Sequence, residues 1–307
     1  MRERVGFVGL GVMGLPMLEN LLGDEALEIH AYDTSEEPFR RLERHDAWGV
    51  RLFRAADVAA LAQCRKTILM LPNSRVTNEV VLGAGERTGL GAVLASGADI
   101  IDMGSSNPLE TRRLAELLAG RGVHLTDAPV SGAVVKASNG TLTIMVGAAA
   151  DSPTFDRLRP LLSRMGTTLL PAGGVGAAHA MKALNNYVYA AGLLAVSEAE
   201  LIARRLGLDS QCFARVLNAS SGRNVASETK LEPFILTGRY ADGFALRLQA
   251  KDLAIADALR VESGACAEQL AHCCALWSDA LEAMPDAANT AIHLYLKGKS
   301  DVVDKNP

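Results

Sequence analysis

Apolar runs of strand length alternate with helical patterns through the first half of this 307-residue chain, and the alternation stops at Gly173-Gly174. Arg4–Gly9 (RVGFVG), Glu28–Asp33 (EIHAYD), Lys66–Leu71 (KTILML), Asp99–Asp102 (DIID) and Val123–Asp127 (VHLTD) read as strands. Helical spacing fills the gaps at Gly11–Leu22, Glu36–Arg44, Val76–Leu82 and Asn107–Arg121. Strands joined through helices pair in parallel, and a parallel sheet has to be covered on both faces. Thr141–Val146 (TLTIMV) reads as a further strand, and Ser152-Pro153 opens a helix with a capping residue followed by proline in the first turn. Beyond Pro171–Gly174 the pattern is helical: a long segment to about Arg205, then Ser210–Asn218, Ala250–Val261, Ala265–Glu282 and Asp286–Leu296. The expectation is an α/β doubly wound parallel sheet over residues 1–172 and an all-α domain over 173–307, with a polar, loose tail over Ser300–Pro307.

Charge and composition exclude several classes of partner. Thirty-one basic residues stand against thirty-five acidic ones, for a net charge of −4, and no lysine or arginine block stands out. That balance argues against nucleic acid and against anionic membranes. No uninterrupted apolar run reaches the roughly 18 residues that a membrane helix needs. The start of the chain enters a strand by Val5 and lacks the organisation of a signal peptide. Five cysteines, an odd number without paired spacing, fit neither a disulfide framework nor a zinc site. A cytoplasmic location is expected.

Gly9-Leu10-Gly11-Val12-Met13-Gly14 matches the spacing G-x-G-x-x-G. Three glycines at this spacing arise easily by chance, so the context decides. An apolar strand precedes them, a helix follows, and Asp33 closes the next strand about 20 residues on, as dinucleotide binding requires. The first glycine permits a tight turn, the second lets backbone approach a pyrophosphate, and the third lets helix and strand pack closely. Gly9, Gly11, Val12, Met13, Gly14 and Asp33 are therefore candidate cofactor contacts. Asp33 should accept the ribose hydroxyls of NAD and repel the extra phosphate of NADP, and the sequence has no arginine near it before Arg40. NAD is the favoured cofactor, with NADP possible.

The segment GGVGAAHAMKALNNYVYAAGLLAVS holds a single charged residue, Lys182, in what otherwise reads as a helix buried most of the way round. Burying a lone ammonium is costly, so the lysine needs a cavity, an anion or a chemical task. Asn186 follows one helical turn later on the same side. The plain alternatives are a solvated lysine and a satisfied core amide. His179, three residues before Lys182, reads as a packed neutral histidine, and Cys273-Cys274 as core.

Four segments carry a resemblance to the β-hydroxyacid dehydrogenase family, whose best-known members act on 3-hydroxyisobutyrate. GFVGLGVMGLPM (Gly6–Met17) resembles the family's cofactor loop, and DAPVSGAVVKASNGTLTIMVGA (Asp127–Ala148) its substrate-binding segment. GVGAAHAMKALNN (Gly174–Asn186) resembles its catalytic helix, and KDLAIA (Lys251–Ala256) its C-terminal signature. The resemblance implies a Rossmann domain, an all-helical domain similar to that of 6-phosphogluconate dehydrogenase, a long helix joining them and an active site in the cleft between. It implies Lys182 as catalytic acid/base, Asn186 as its partner, and Ser131 and Gly132 as carboxylate binders. It also places Lys251 beside nicotinamide and substrate, and Leu71, Pro72 and Ser105 along the cofactor. Association as a homodimer or homotetramer through the helical domain is implied as well.

This chain departs from the family pattern at two places. Ala133 stands where a second glycine is usual, which narrows the substrate loop by one methyl, and Ser105 replaces a threonine. NADP-using members often carry Asn-Arg-Thr where this chain has Asp33-Thr34-Ser35, in agreement with NAD. Ser220–Lys230 (SSGRNVASETK) is a candidate for substrate selection. Without the family match, Ser131-Gly132 would read as a plain turn and Lys251-Asp252 as an exposed pair at a helix start.

Oxidising an alcohol removes a hydride from carbon and a proton from oxygen, and the protein has to manage the proton. A free lysine, with a pKa near 10.4, is a poor base at neutral pH. Burial and the positive charge of oxidised nicotinamide both disfavour the ammonium, and lysines tuned to about 7–8 are effective general catalysts. The reading is an NAD(P)-dependent oxidoreductase for a short-chain 3-hydroxy acid of the 3-hydroxyisobutyrate type. Reduction of tartronate semialdehyde, or action on threonate or a hydroxyalkyl sulfonate, are alternatives within the family. A cofactor-binding protein without chemistry is the alternative from another class. Imine reductases of this fold typically lack the lysine, and a 6-phosphogluconate dehydrogenase needs a basic phosphate clamp and a longer helical domain.

Overall fold

Six strands pair side by side, all parallel, in the order β3-β2-β1-β4-β7-β8. They are β1 (Glu3–Val8), β2 (Leu27–Tyr32), β3 (Leu52–Arg54), β4 (Lys66–Leu69), β7 (Asp99–Asp102) and β8 (His124–Asp127). A short hairpin, β5 (Gly83–Ala84) with β6 (Arg87–Thr88), interrupts the series. The crossovers carry α1 (Gly14–Leu21), α2 (Glu37–Leu42), α3 (Ser74–Leu82), α4 (Leu90–Val93) and α5 (Pro108–Ala119). A second sheet follows, with β9 (Val130–Ser131), α6 (Ala133–Ser138), β10 (Leu142–Val146), α7 (Pro153–Leu162) and β11 (Gly166–Pro171). Successive strand residues face opposite sides, so Phe7 joins a core with Met17, Leu21, Ile29 and Phe39, while Val8 joins Leu69, Ile100 and Leu114 on the other face. This is the doubly wound Rossmann arrangement, whose ligands lie beyond the carboxyl ends of the strands where the strand order reverses.

The computed structural model describes residues 2–303, in two compact units divided between Lys182 and Ala183. The boundary falls inside α8 (Ala177–Arg205). The second unit continues with α9 (Ser210–Ala219), a π-helical segment at Ser227–Leu236, α10 (Leu246–Ser263), α11 (Glu268–Ala283) and α12 (Ile292–Val303). Its core gathers Leu193, Leu231, Leu253, Trp277 and Ile292. The expectation of a loose tail over Ser300–Pro307 does not hold at 300–303, which continue α12; residues 304–307 lie outside the described residues.

Two expectations change. Helix α8 is not covered most of the way round: Met181, Leu184, Val188 and Ile202 form an exposed apolar strip, with Val188 68% exposed. A helix buries only the faces that its neighbours reach, and apolar composition alone does not say how many faces those are. Strands β3, β9 and β11 were not legible, since two or three residues cannot display an alternation and GTTLLP mixes polar with apolar residues.

One buried ionic network ties α8 to the end of the chain. Glu200 Oε2 lies 2.7 Å from His293 Nε2, while its Oε1 accepts from Arg204 Nη2 at 2.7 Å and from Ser210 Oγ at 2.9 Å. Tyr240 stacks on the His293 ring. Burial works to raise the Glu200 carboxyl, but hydrogen bonds from His293, Arg204 and Ser210 outweigh it and hold the group below its ordinary value. Burial also lowers His293, against the pull of the Glu200 carboxylate. Both groups bind protons more readily in the unfolded chain, so both contribute stability above their unfolded pKa values and lose it on acidification. The melting temperature is therefore expected to fall as pH drops below about 6.5, with a smaller fall in His293→Asn. Glu200→Ala, which strands its partners, should cost about 3 kcal/mol in denaturant unfolding at pH 7.5.

Candidate active site

The glycine turn stands at the carboxyl end of β1. Gly9 has φ +96°, and a Cβ there would come within 2.4 Å of the Met70 carbonyl oxygen. A Cβ on Gly14 would come within 1.9 Å of the Gly9 carbonyl oxygen, so α1 can start this close to the turn only with glycine at that position. At Gly11 nothing lies within 4 Å of where a Cβ would project, and Gly11 and Val12 are exposed. An open cradle at a helix N-terminus, with free backbone N–H groups, suits a pyrophosphate. Asp33, half-buried at the end of β2, accepts from Leu10 N–H at 2.6 Å through one oxygen and from Ser35 N–H at 2.7 Å through the other. The carboxylate thus braces the turn and keeps acceptor lone pairs for ribose hydroxyls.

The remaining cofactor candidates follow the sheet order. Leu71 and Pro72 follow β4 after Met70, and the Leu71 side chain borders Gly9. Ser105 lies on the loop after β7, half-buried, where the buried Asp102 shapes the chain. One Asp102 oxygen accepts from Gly104 N–H at 3.0 Å and the other from Ser106 Oγ at 2.8 Å. Strand order β2-β1-β4-β7 therefore brings Asp33, Gly9–Gly14, Leu71-Pro72 and Ser105 to one rim. A groove of about 470 Å³ beside β8, lined among others by Val123, Leu125, Gly147 and Gly174, includes none of these candidates.

Ser131 ends β9 opposite Thr143 of β10, and Gly132 turns the chain into α6 with φ +138°. Ala133 has φ +54°, a left-handed conformation that suits glycine and strains an L-residue. Lys136, as expected, is exposed.

The start of α8 is held by a residue that sequence reading did not single out. The Asp127 carboxylate, fully buried at the end of β8, accepts from Gly176 N–H at 2.8 Å and His179 N–H at 2.9 Å. It does from a distance what an N-capping side chain does locally, satisfying orphan N–H groups at the positive helix end. His179 is packed and buried, its Nδ1 2.9 Å from Thr111 Oγ1. Lys182, half-buried, comes one turn later.

Asn186 follows Lys182 after a further turn and is buried. Its Nδ2 donates to Asp252 Oδ2 at 2.5 Å, and its backbone carbonyl accepts from Gln249 Nε2 at 3.1 Å. Lys251 Nζ lies 3.1 Å from Asp252 Oδ1. The pair Lys251-Asp252 is thus no exposed helix start: Asp252 is 3% exposed and joins Lys251 to Asn186. The only sequence signal for Asp252 was its place after Lys251 in KDLAIA. In the other candidate segment, Asn224 Oδ1 accepts from Ala226 and Ser227 N–H at the head of the π-helical turn.

A glycine cradle with its braced carboxylate, followed by an all-helical unit, defines an NAD(P)-dependent dehydrogenase. Residues 4–174 match the model for the NAD binding domain of 6-phosphogluconate dehydrogenase. Residues 176–296 match the model for NAD-binding of NADP-dependent 3-hydroxyisobutyrate dehydrogenase. The chain is 36% identical to 2-(hydroxymethyl)glutarate dehydrogenase of Eubacterium barkeri, over 82% of this chain and 81% of that one. It is also 36% identical to mitochondrial 3-hydroxyisobutyrate dehydrogenase of Homo sapiens, over 82% and 74% of the two chains. The structure of Mycobacterium tuberculosis 3-hydroxyisobutyrate dehydrogenase with L-serine superposes with a TM-score of 0.84 at 29% identity, covering 96% of this chain and 99% of that one. The chain belongs to the β-hydroxyacid dehydrogenase family, whose members are NAD(P)-dependent hydroxyacid dehydrogenases.

Left-handed backbone at Ala133 has a measurable consequence. Ala133→Gly should stabilise the protein by about 1 kcal/mol, the strain of the methyl less the entropy glycine adds to the unfolded chain. Denaturant midpoints of the two proteins check it.

Proposed function

We propose that this enzyme oxidises the terminal hydroxyl of a short 3-hydroxy acid, HO–CH2–CHX–COO⁻, with NAD as the preferred cofactor. 2-(Hydroxymethyl)glutarate, 3-hydroxyisobutyrate and L-serine, named with three of its relatives, all contain that unit. Residues 1–172 serve as the cofactor domain and 173–307 as the substrate and dimerisation domain. Gly9, Gly11, Val12, Met13 and Gly14 cradle the pyrophosphate, Asp33 accepts the ribose hydroxyls, and Leu71, Pro72 and Ser105 line the cofactor. When bound, the nicotinamide ring supplies the hydride acceptor.

The Ser131 hydroxyl and the Gly132 N–H hold the substrate carboxylate, as backbone concavities hold anions. Lys182 takes the hydroxyl proton during oxidation and returns it to the developing alkoxide during reduction. Asn186 orients lysine or substrate from one turn away. Its amide is held by Asp252, and this supports the assignment best: a buried side chain fixed by its neighbours is pre-organised for such a task. Lys251, tied to the same Asp252, brings a second positive charge beside nicotinamide and carboxylate.

The exposed strip Met181–Ile202 on α8 supports association with a second copy of this chain, as a dimer or tetramer, because so long an apolar face is otherwise left to water. Val188→Glu should reduce the oligomer to a smaller species in light scattering. A cytoplasmic location is supported by the odd number of cysteines, five, without paired spacing in the sequence.

The deciding experiment follows NADH formation with a panel of 3-hydroxy acids in wild type and Lys182→Ala. Turnover in the variant should fall about 100- to 10,000-fold, the range for loss of a general acid/base. Cofactor affinity should change far less, and near-wild-type turnover would remove Lys182 from the mechanism.

A further inference from the structure

Pairing of β2 with β3 brings in an arginine that sequence spacing hides. Ala31 stands opposite Arg54 in the register, so Arg54 ends its strand beside the stretch of β2 that leads into Asp33. Its guanidinium lies over the Phe39 ring, 4.5 Å from the centroid. Both oxygens of Glu36 hold it: Nη1 donates to Oε2 at 2.6 Å, and Nη2 donates to Oε1. Hydrogen bonds from Arg54 keep the Glu36 carboxyl below its ordinary value, and the charge of Arg40 adds to them. Glu36 in turn raises Arg54, with a smaller contribution from Glu43. One carboxylate, three positions past Asp33, therefore holds Arg54 at the rim where the ribose of the cofactor belongs.

Arg54 and Glu36 are 39% and 65% exposed, and ion pairs that open to water contribute little to stability. Their effect falls on a ligand arriving at the same rim. An arginine beside the acidic residue at the end of β2 is what a Rossmann domain uses to accept the 2′-phosphate of NADP. A guanidinium binds phosphate through two parallel N–H bonds, the same fork that it offers a carboxylate. Here Glu36 already fills that fork. A 2′-phosphate would have to displace one carboxylate while being repelled by it and by Asp33.

We infer that Glu36 masks a latent 2′-phosphate site at Arg54. This rests on the NAD preference and the Asp33 ribose contact proposed above, and adds a second carboxylate to that preference, Glu36 as the cover over Arg54. Removing the charge of Glu36 uncovers a phosphate-binding fork with no residue added.

Fluorescence titration of the full chain with NADH and NADPH tests this without any hydroxy acid, so an unidentified substrate does not affect the result. In Glu36→Gln, and equally in Glu36→Ala, the ratio of the NADPH to the NADH dissociation constant should fall about tenfold. Adding Arg54→Ala to Glu36→Gln should return the ratio towards that of wild type, and rising salt should weaken the gain, as for any exposed charge pair. An unchanged ratio in both Glu36 variants overturns the inference. So does a gain that survives Arg54→Ala, because simple loss of repulsion would then explain it. Circular dichroism of each variant confirms that the titrated protein is folded.

Discussion

One buried carboxylate sets where α8 can begin. Asp127 ends β8, the edge strand of the six-stranded sheet, and its two oxygens take the N–H groups of Gly176 and His179. A 29-residue helix has four orphan N–H groups at its start, and α8 satisfies two of them with a side chain from β8. The carboxylate needs room: a Cβ on Gly147 would come within 1.9 Å of Asp127 Oδ1. Fixing the first turn fixes the rotation of the helix start, and with it the side on which Lys182 projects. The β8–α8 link thus couples the sheet that presents the cofactor rim to the helix that carries the proposed acid/base.

The same logic recurs at smaller scale. Asp33 accepts from the glycine turn, Asp102 shapes the loop that bears Ser105, and Asp252 holds the Asn186 amide. Each is a carboxylate accepting N–H or O–H groups that would otherwise lack partners, and each stands next to a candidate functional residue. Hydrogen bonds to a charged acceptor are stronger than neutral ones, so such braces hold geometry well. Candidate residues braced in this way have little local rearrangement left to make, which is where a binding group gains most from rigidity.

The two units reach stability by different means. In the first, the parallel sheet buries apolar residues on both faces, and Phe7 and Val8 begin separate cores. In the second, helices surround Trp277, and the Glu200–His293 pair adds an interior ionic link whose strength depends on pH. Apolar helix faces are less fully used there: α8 keeps its exposed strip.

Sequence by itself determined the alternation of strands and helices, its end near Gly173, the glycine turn with Asp33, and the lysine and asparagine one turn apart. These are local signals, because period, composition and short spacing record what the backbone needs nearby. Strands of two or three residues left no such trace, and β3 hid the approach of Arg54 to Glu36. Tertiary structure alone decided that Asp127 caps α8, that Asp252 is buried against Asn186 rather than solvated, and that one side of α8 is open. Each of these joins residues far apart in the chain, and contact between distant segments depends on how elements pack, which no local pattern encodes.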